Sequence, residues 1–149
     1  MSKPYVRQGR KFVPVPDCTG YFYGKDGLHK EKTPYSYAIV VSQDADIATL
    51  AFFHHSPVKL TWEEAKEYCH KRGMNLYMPS LIEALQAVKF KEHLCFELGN
   101  SEWMSTEVST NYTWTLHWGL LDPVIAGHKS NSRYVRPFFK LNVLTGEYV

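Results

Sequence analysis

Hydrophobic and polar positions follow a period of two towards the two ends of the chain and a period near 3.6 in its middle. Residues 35–41 (YSYAIVV) and 47–53 (IATLAFF) are β-branched and aromatic, separated by a polar stretch at 42–46. They predict a hairpin whose strands are apolar throughout, as burial on both faces requires. Ahead of them, Gly20-Tyr21-Phe22-Tyr23-Gly24 reads as a short strand and Asp26-Gly27 as a hairpin turn. From Thr61 the period changes. Thr61-x-x-Glu64 and Ser80-x-x-Glu83 are capping boxes: the hydroxyl accepts one orphan amide and the glutamate reaches back to another. The first opens a helix with Trp62, Ala65, Tyr68, Cys69 and Arg72 on one face, ended by Gly73 in a left-handed cap. The second opens a helix whose inner face is Leu81, Ala84, Leu85 and Val88, after an extended entry fixed by Met78-Pro79.

Beyond Gly99-Asn100 the period returns to two. Residues 103–106 form a short strand. Residues 111–118 alternate strictly, with Tyr112, Trp114, Leu116 and Trp118 on a face expected in the core and Asn111, Thr113, Thr115 and His117 on a face expected in solvent. Residues 119–132 read as strand fragments and loop, 133–139 (RYVRPFF) as another strand, and 141–149 closes the chain. Residues 1–19, with Pro4, Pro14 and Pro16, read as an extended N-terminal arm, because proline removes ladder donors. Residues 20–149 then form a single domain. Strands, two helices, then strands predict an α+β fold with two helices packed on a twisted, mostly antiparallel sheet.

Composition narrows the function. Lysine and arginine total 17 against 15 acids, a net charge of +2, which argues against a nucleic-acid partner. Aromatic residues reach 15%, which suits a sheet or a contact surface. No run of 18 apolar residues is present, so no membrane span is expected. Residues 1–16 lack the apolar stretch of a secretory leader, so synthesis in a cytosol is expected.

Few residues suggest reactive chemistry. Cys18, Cys69 and Cys95 are odd in number and widely spaced, giving neither a disulfide framework nor a metal pair. His54 and His55 would point to opposite faces of a strand. His93-x-Cys95 lacks a second pair at zinc spacing, so neither a metal nor a cofactor is expected. A Cys–His nucleophile (Cys69 with His70, or Cys95 with His93) is the one catalytic arrangement to weigh, and Cys69 falls on a buried helix face, where an inert thiol is expected. Glu63, Glu64 and Glu67 lie on the outer side of the first helix as caps and dipole-complementing charges. No catalytic residue is assigned.

Several motifs occur in an order that resembles C-type lectin-like domains, in particular a bacterial and phage branch. They are Trp62-x-x-Ala65-x-x-Tyr68-Cys69, Gly73, Met78-Pro79-Ser80 with Glu83, Trp103-Met104-Ser105-Thr106-Glu107, and Val135-Arg136-Pro137-Phe138. The resemblance spans about residues 20–139. It assigns fold-building roles to Trp62, Ala65, Cys69, Pro79, Trp103, Ser105, Arg136 and Pro137, with Arg136 expected on backbone carbonyls or Glu107. The calcium-ligand motifs of the calcium-dependent lectins are missing, and Asp122 is the only acid between 108 and 146, so calcium-dependent sugar binding is not expected. The resemblance implies a ligand face on the late strands and their loops: Asn111, Thr113, Thr115, His117, His128, Ser130, Asn131 and Arg133. It implies a non-enzymatic phage virion protein, a head fibre, decoration or tail-tip module that recognises a host-surface glycan or protein. The arm would dock onto other virion proteins, with a homo-oligomer such as a trimer as the assembly. The alternatives are a purely structural interaction protein and a bacterial surface or secreted adhesin.

Overall fold

The computed structural model describes residues 5–8, 11–118 and 124–149, with side chains from Pro14 onward. The arm holds two strands, β1 (Tyr5–Gln8) and β2 (Lys11–Pro14), paired antiparallel with each other. The chain then joins the body at Val15, which is fully buried. The Cys18 amide donates to Gln43 Oε1 at 2.9 Å, and Gln43 Nε2 donates to the Pro16 carbonyl at 2.8 Å. Residues 15–19 are therefore tied to the domain.

The body is α+β, with one five-stranded and one three-stranded sheet. The larger sheet comprises β3 (Phe22–Gly24), β4 (Gly27–His29), β5 (Ser36–Asp44), β6 (Ile47–Phe52) and β10 (Phe138–Asn142), in the antiparallel order β10-β6-β5-β3-β4. The β3–β4 turn is Lys25-Asp26, one residue earlier than the Asp26-Gly27 expectation, because Gly24 pairs with Gly27. Gly24 is required there, since a Cβ would lie 2.1 Å from the Tyr35 carbonyl oxygen. The smaller sheet comprises β7 (Ser101–Glu107), β8 (Tyr112–His117) and β9 (Val124–His128), also antiparallel.

Both helices begin at their expected boxes. In α1 (Trp62–His70), Thr61 accepts the Glu64 amide and Glu64 accepts the Thr61 amide; in α2 (Leu81–Val88), Ser80 and Glu83 do the same. The helices cover opposite faces of the larger sheet. Trp62, Ala65 and Cys69 of α1 pack into a core with Ala38, Val40, Leu50, Trp103 and Phe139. Ala84 and Ala87 of α2 pack into a second core with Ile39, Val41, Ala51, Met104, Leu116 and Phe138. Alternate residues of β5 thus enter different cores, which explains its unbroken apolar run. Within α2 the inner face is corrected: Leu85 is 40% exposed and Ala87 is buried in its stead. No helix among the described residues is long and apolar enough to cross a membrane.

The late strands depart from the sequence reading. The expected strand at 133–139 is displaced to Phe138–Asn142, and 133–137 is an irregular segment held by backbone bonds to Leu60, Ser56 and Trp103. Beyond β10 the chain folds back on itself, with the Asn142 amide donating to the Glu147 carbonyl and the Val149 amide to the Lys140 carbonyl.

The irregular segment carries the main polar tie between the sheets. Arg136, 2% exposed, donates from Nε and Nη2 to the two carboxylate oxygens of Glu102, at 2.9 and 2.8 Å. Its other donors reach the carbonyls of Phe52, Phe53 and Cys95. Glu102 also accepts from Trp118 Nε1 at 2.7 Å. Backbone carbonyls were among the expected partners, but the carboxylate is Glu102 and not Glu107, which pairs instead with Lys129 at 2.9 Å. The other fold-motif residues hold structural places. Trp103 is fully buried and donates from Nε1 to the Leu60 carbonyl at 2.7 Å, Ser105 donates to the Pro79 carbonyl, and Thr106 accepts the first α2 amide, that of Leu81.

Candidate functional site

The eight residues expected on a ligand face separate into three groups. Thr113 and Thr115 are fully buried, which corrects their placement on an outward face. Both faces of β8 are covered. The Thr113 hydroxyl lies 3.0 and 2.8 Å from the carbonyls of Met104 and Thr106, beside the bulge in β7, and the Thr115 hydroxyl donates to the Ile125 carbonyl at 3.0 Å. Those hydroxyls satisfy backbone and present nothing to a partner. Conversely Tyr112, expected in the core, is 44% exposed.

Asn111, His128, Ser130 and Asn131 gather at the far end of the small sheet, where the Lys129 amide donates to the Asn111 carbonyl. The Ser130 hydroxyl and amide both lie against His128 Nδ1, at 2.7 and 3.2 Å, and Tyr112 meets the His128 ring edge-on. A serine–histidine contact has the form of a nucleophile beside its base. Here the pair is a local turn two residues apart, and among the described residues no carboxylate hydrogen-bonds or ion-pairs with the imidazole to orient it.

His117 and Arg133 form the third group. His117 ends β8, six residues or roughly 20 Å along the strand from Asn111, and the Arg133 side chain packs along the sheet against Gly127 and Thr115. His117 and Arg133 line a pocket of about 300 Å³ with Lys59, Gly99, Asn100, Ser101, Ile125 and Ser132. Its walls come from distant stretches of chain. Lys59 precedes α1, Asn100 precedes β7 and Ser101 opens it, His117 ends β8 opposite Ser101, and Ile125 lies on β9. The Arg133 backbone is clamped to Leu60 in both directions, at 2.9 and 2.7 Å, and the same Leu60 carbonyl accepts from Trp103.

The Arg133 side chain lies over Trp103, with Cζ 5.4 Å from the ring centroid, and crosses Gly127. A Cβ at Gly127 would come within 2.9 Å of Arg133 Nε and of Thr115 Cγ2, so the absence of a side chain there makes room for the guanidinium. Arg133 Nε is buried without a hydrogen-bond partner among the described residues, as is His117 Nδ1. Burial is what lowers the Arg133 pKa from its ordinary value. An arginine remains charged under such a shift. The pocket thus holds Lys59 and Arg133, an imidazole, an amide and two hydroxyls, with no acid among the described residues of its lining.

A second groove, of about 580 Å³, is lined by Tyr37, Phe52, His54, His55, Pro57, Tyr68, Arg72 and Met74. Its polar groups are largely engaged. Arg72 donates to the Tyr68 hydroxyl and lies over Phe52, and His55 stacks on Tyr134 while its Nδ1 meets the Ser56 carbonyl. A third cavity, beside Glu102 and Arg136, is only about 10 Å³, room for a single water at most. Among the described residues no three His, Cys, Asp or Glu side chains converge as a metal site.

Lys59, Asn100, Ser101 and Ser132 were not singled out by the sequence reading. They carry no motif and converge only through the fold. The cysteines were the remaining chemical candidates. Cys69 is buried, and burial pushes its thiol up to about 12; Cys18 is also buried and raised, by desolvation first and by Asp17 second. Cys95 is exposed. A thiol reagent at pH 8 is therefore expected to label Cys95 rapidly and Cys69 only on unfolding, because the thiolate is the reactive form. Rapid native labelling of Cys69 would contradict the buried-thiol assignment. No family model matches the chain and no curated protein matches it, so its function is argued from the chemistry of the site.

Proposed function

We propose that the chain is a non-enzymatic recognition module with a C-type lectin-like fold, carried on a phage virion, that binds a polar host-surface glycan in the pocket of His117 and Arg133. The observation that carries this reading is the convergence of an unpartnered arginine and histidine with Lys59, Asn100 and Ser101 in a pocket of about 300 Å³. That volume is at the small end of ligand pockets and suits one sugar residue. The motif residues behind the resemblance occupy core and capping positions, which is what a fold signature requires. Fold alone does not specify function, so the pocket and not the signature bears the argument.

A single small pocket gives weak binding, and display in several copies raises it by effective concentration. Fluorescent protein displayed on beads is expected to bind a subset of bacterial strains and their extracted capsular polysaccharides, with at least a tenfold loss for Arg133→Ala or His117→Ala. Absence of binding to every strain by folded protein would favour a purely structural role.

The proposed docking of the arm onto virion partners has its own test. Deleting residues 1–13 stops short of the buried Val15. The truncated chain is expected to keep its thermal unfolding midpoint and to lose incorporation into particles. Unchanged incorporation would refute docking through the arm.

A further inference from the structure

The recognition reading leaves the chemical class of the glycan open, and the charge arrangement of the pocket restricts it. Of the ionisable residues in the lining, Lys59 and Arg133 are permanent cations and His117 carries no negative charge in any form. Among the described residues near this end of the sheets, Glu102 is engaged with Arg136 and Trp118, and Glu97 borders the pocket, accepting from Asn100 Nδ2 and the Tyr134 hydroxyl at 3.2 and 3.3 Å. Lys59 Nζ lies over the Tyr134 ring at 5.6 Å, a contact that leaves its three donors available.

Arg133 is the more telling group. Its guanidinium has no hydrogen-bond or ion-pair partner among the described residues, although its backbone is fixed on both sides and its Cζ lies over the Trp103 ring. Burying its Nε without a partner costs folding free energy by desolvation, whereas Arg136, three residues on, has all its nitrogens engaged. The contrast within one short segment separates a structural arginine from one held ready. A planar guanidinium beside an ammonium matches a carboxylate or sulfate ester, to which paired charge-assisted bonds form.

We propose that this pocket selects an acidic sugar, with the carboxylate or sulfate ester seated against Arg133 and Lys59 and the hydroxyls on Asn100, Ser101 and Ser132. The inference rests on the recognition reading and adds the ligand class. It requires no metal, because the charge complement is supplied by the two cations.

The test uses the full chain, labelled with ¹⁵N, and follows the Arg133 Nε–H and pocket amide signals during titration with glucuronate, glucose 6-sulfate, methyl glucuronate, glucose and sodium phosphate at constant ionic strength. Glucuronate or glucose 6-sulfate is expected to bind at least tenfold more tightly than glucose or the methyl ester, and the tighter of the two identifies the acidic group. Arg133→Gln is expected to abolish that preference. Should Arg133→Gln fail to fold, Lys59→Gln, at an exposed position, is expected to reduce acidic-sugar affinity severalfold. Equal binding of glucose and glucuronate at the pocket would overturn the acidic-sugar assignment and leave the glycan reading standing. Phosphate binding as tightly as the acidic sugars would overturn it in favour of a free oxyanion. No response at the pocket to any of the five, with bead binding to cells intact and unaffected by Arg133→Gln, would overturn both.

Discussion

The fold depends on a buried ion pair. Arg136 is in contact with the end of β6, the segment at Cys95, Glu102 of β7 and, through Glu102, the Trp118 indole. These elements belong to both sheets, and backbone hydrogen bonding does not join the sheets into one ladder. Taking two charges out of water costs several kcal/mol each, and the arrangement offsets this only because the guanidinium donors and the carboxylate oxygens are matched. The pair therefore contributes geometric definition more than net stability. It fixes where residues 133–137 run, and with them the placement of Arg133.

The site follows from that placement. Because residues 133–137 are irregular, they leave the sheet ladder and cross from the Leu60 segment to β10. Arg136 faces the interior, and Arg133, at the start of the same segment, faces the pocket. Trp103 supports Arg133 twice, since its ring lies under the guanidinium and its indole nitrogen holds the carbonyl of Leu60, the residue that clamps the Arg133 backbone. Gly127 supplies the clearance. A small number of core residues thus position Arg133 ahead of binding, which lowers the ordering cost of binding.

Local features were legible in the sequence and long-range ones were not. The capping boxes at Thr61 and Ser80 depend on residues three apart, so their pattern reads directly. The two-faced burial of β5 and β6 shows in their unbroken apolar runs. Strand alternation misled at β8, where threonine counts as polar but both hydroxyls are satisfied by carbonyls of neighbouring strands, one set of them created by the β7 bulge. Strand β7 supplies Glu102 in place of Glu107 as the partner of Arg136. Of the pocket, His117 and Arg133 were reached through the resemblance, which implies a ligand face on the late strands and their loops. Lys59, Asn100, Ser101 and Ser132 come from separate stretches whose convergence no spacing encodes.

The Arg136–Glu102 pair thus holds the two sheets in register and thereby shapes the pocket. A double-mutant cycle of Arg136→Met and Glu102→Gln, read by urea unfolding, puts this to the test. Arg136→Met alone is expected to cost about 3–5 kcal/mol by leaving a buried charge unpaired. Adding Glu102→Gln is expected to recover at least about 1 kcal/mol of that loss, since interacting residues couple by roughly 0.5–3 kcal/mol. Single losses below about 1 kcal/mol that simply add would contradict a structural role for the pair.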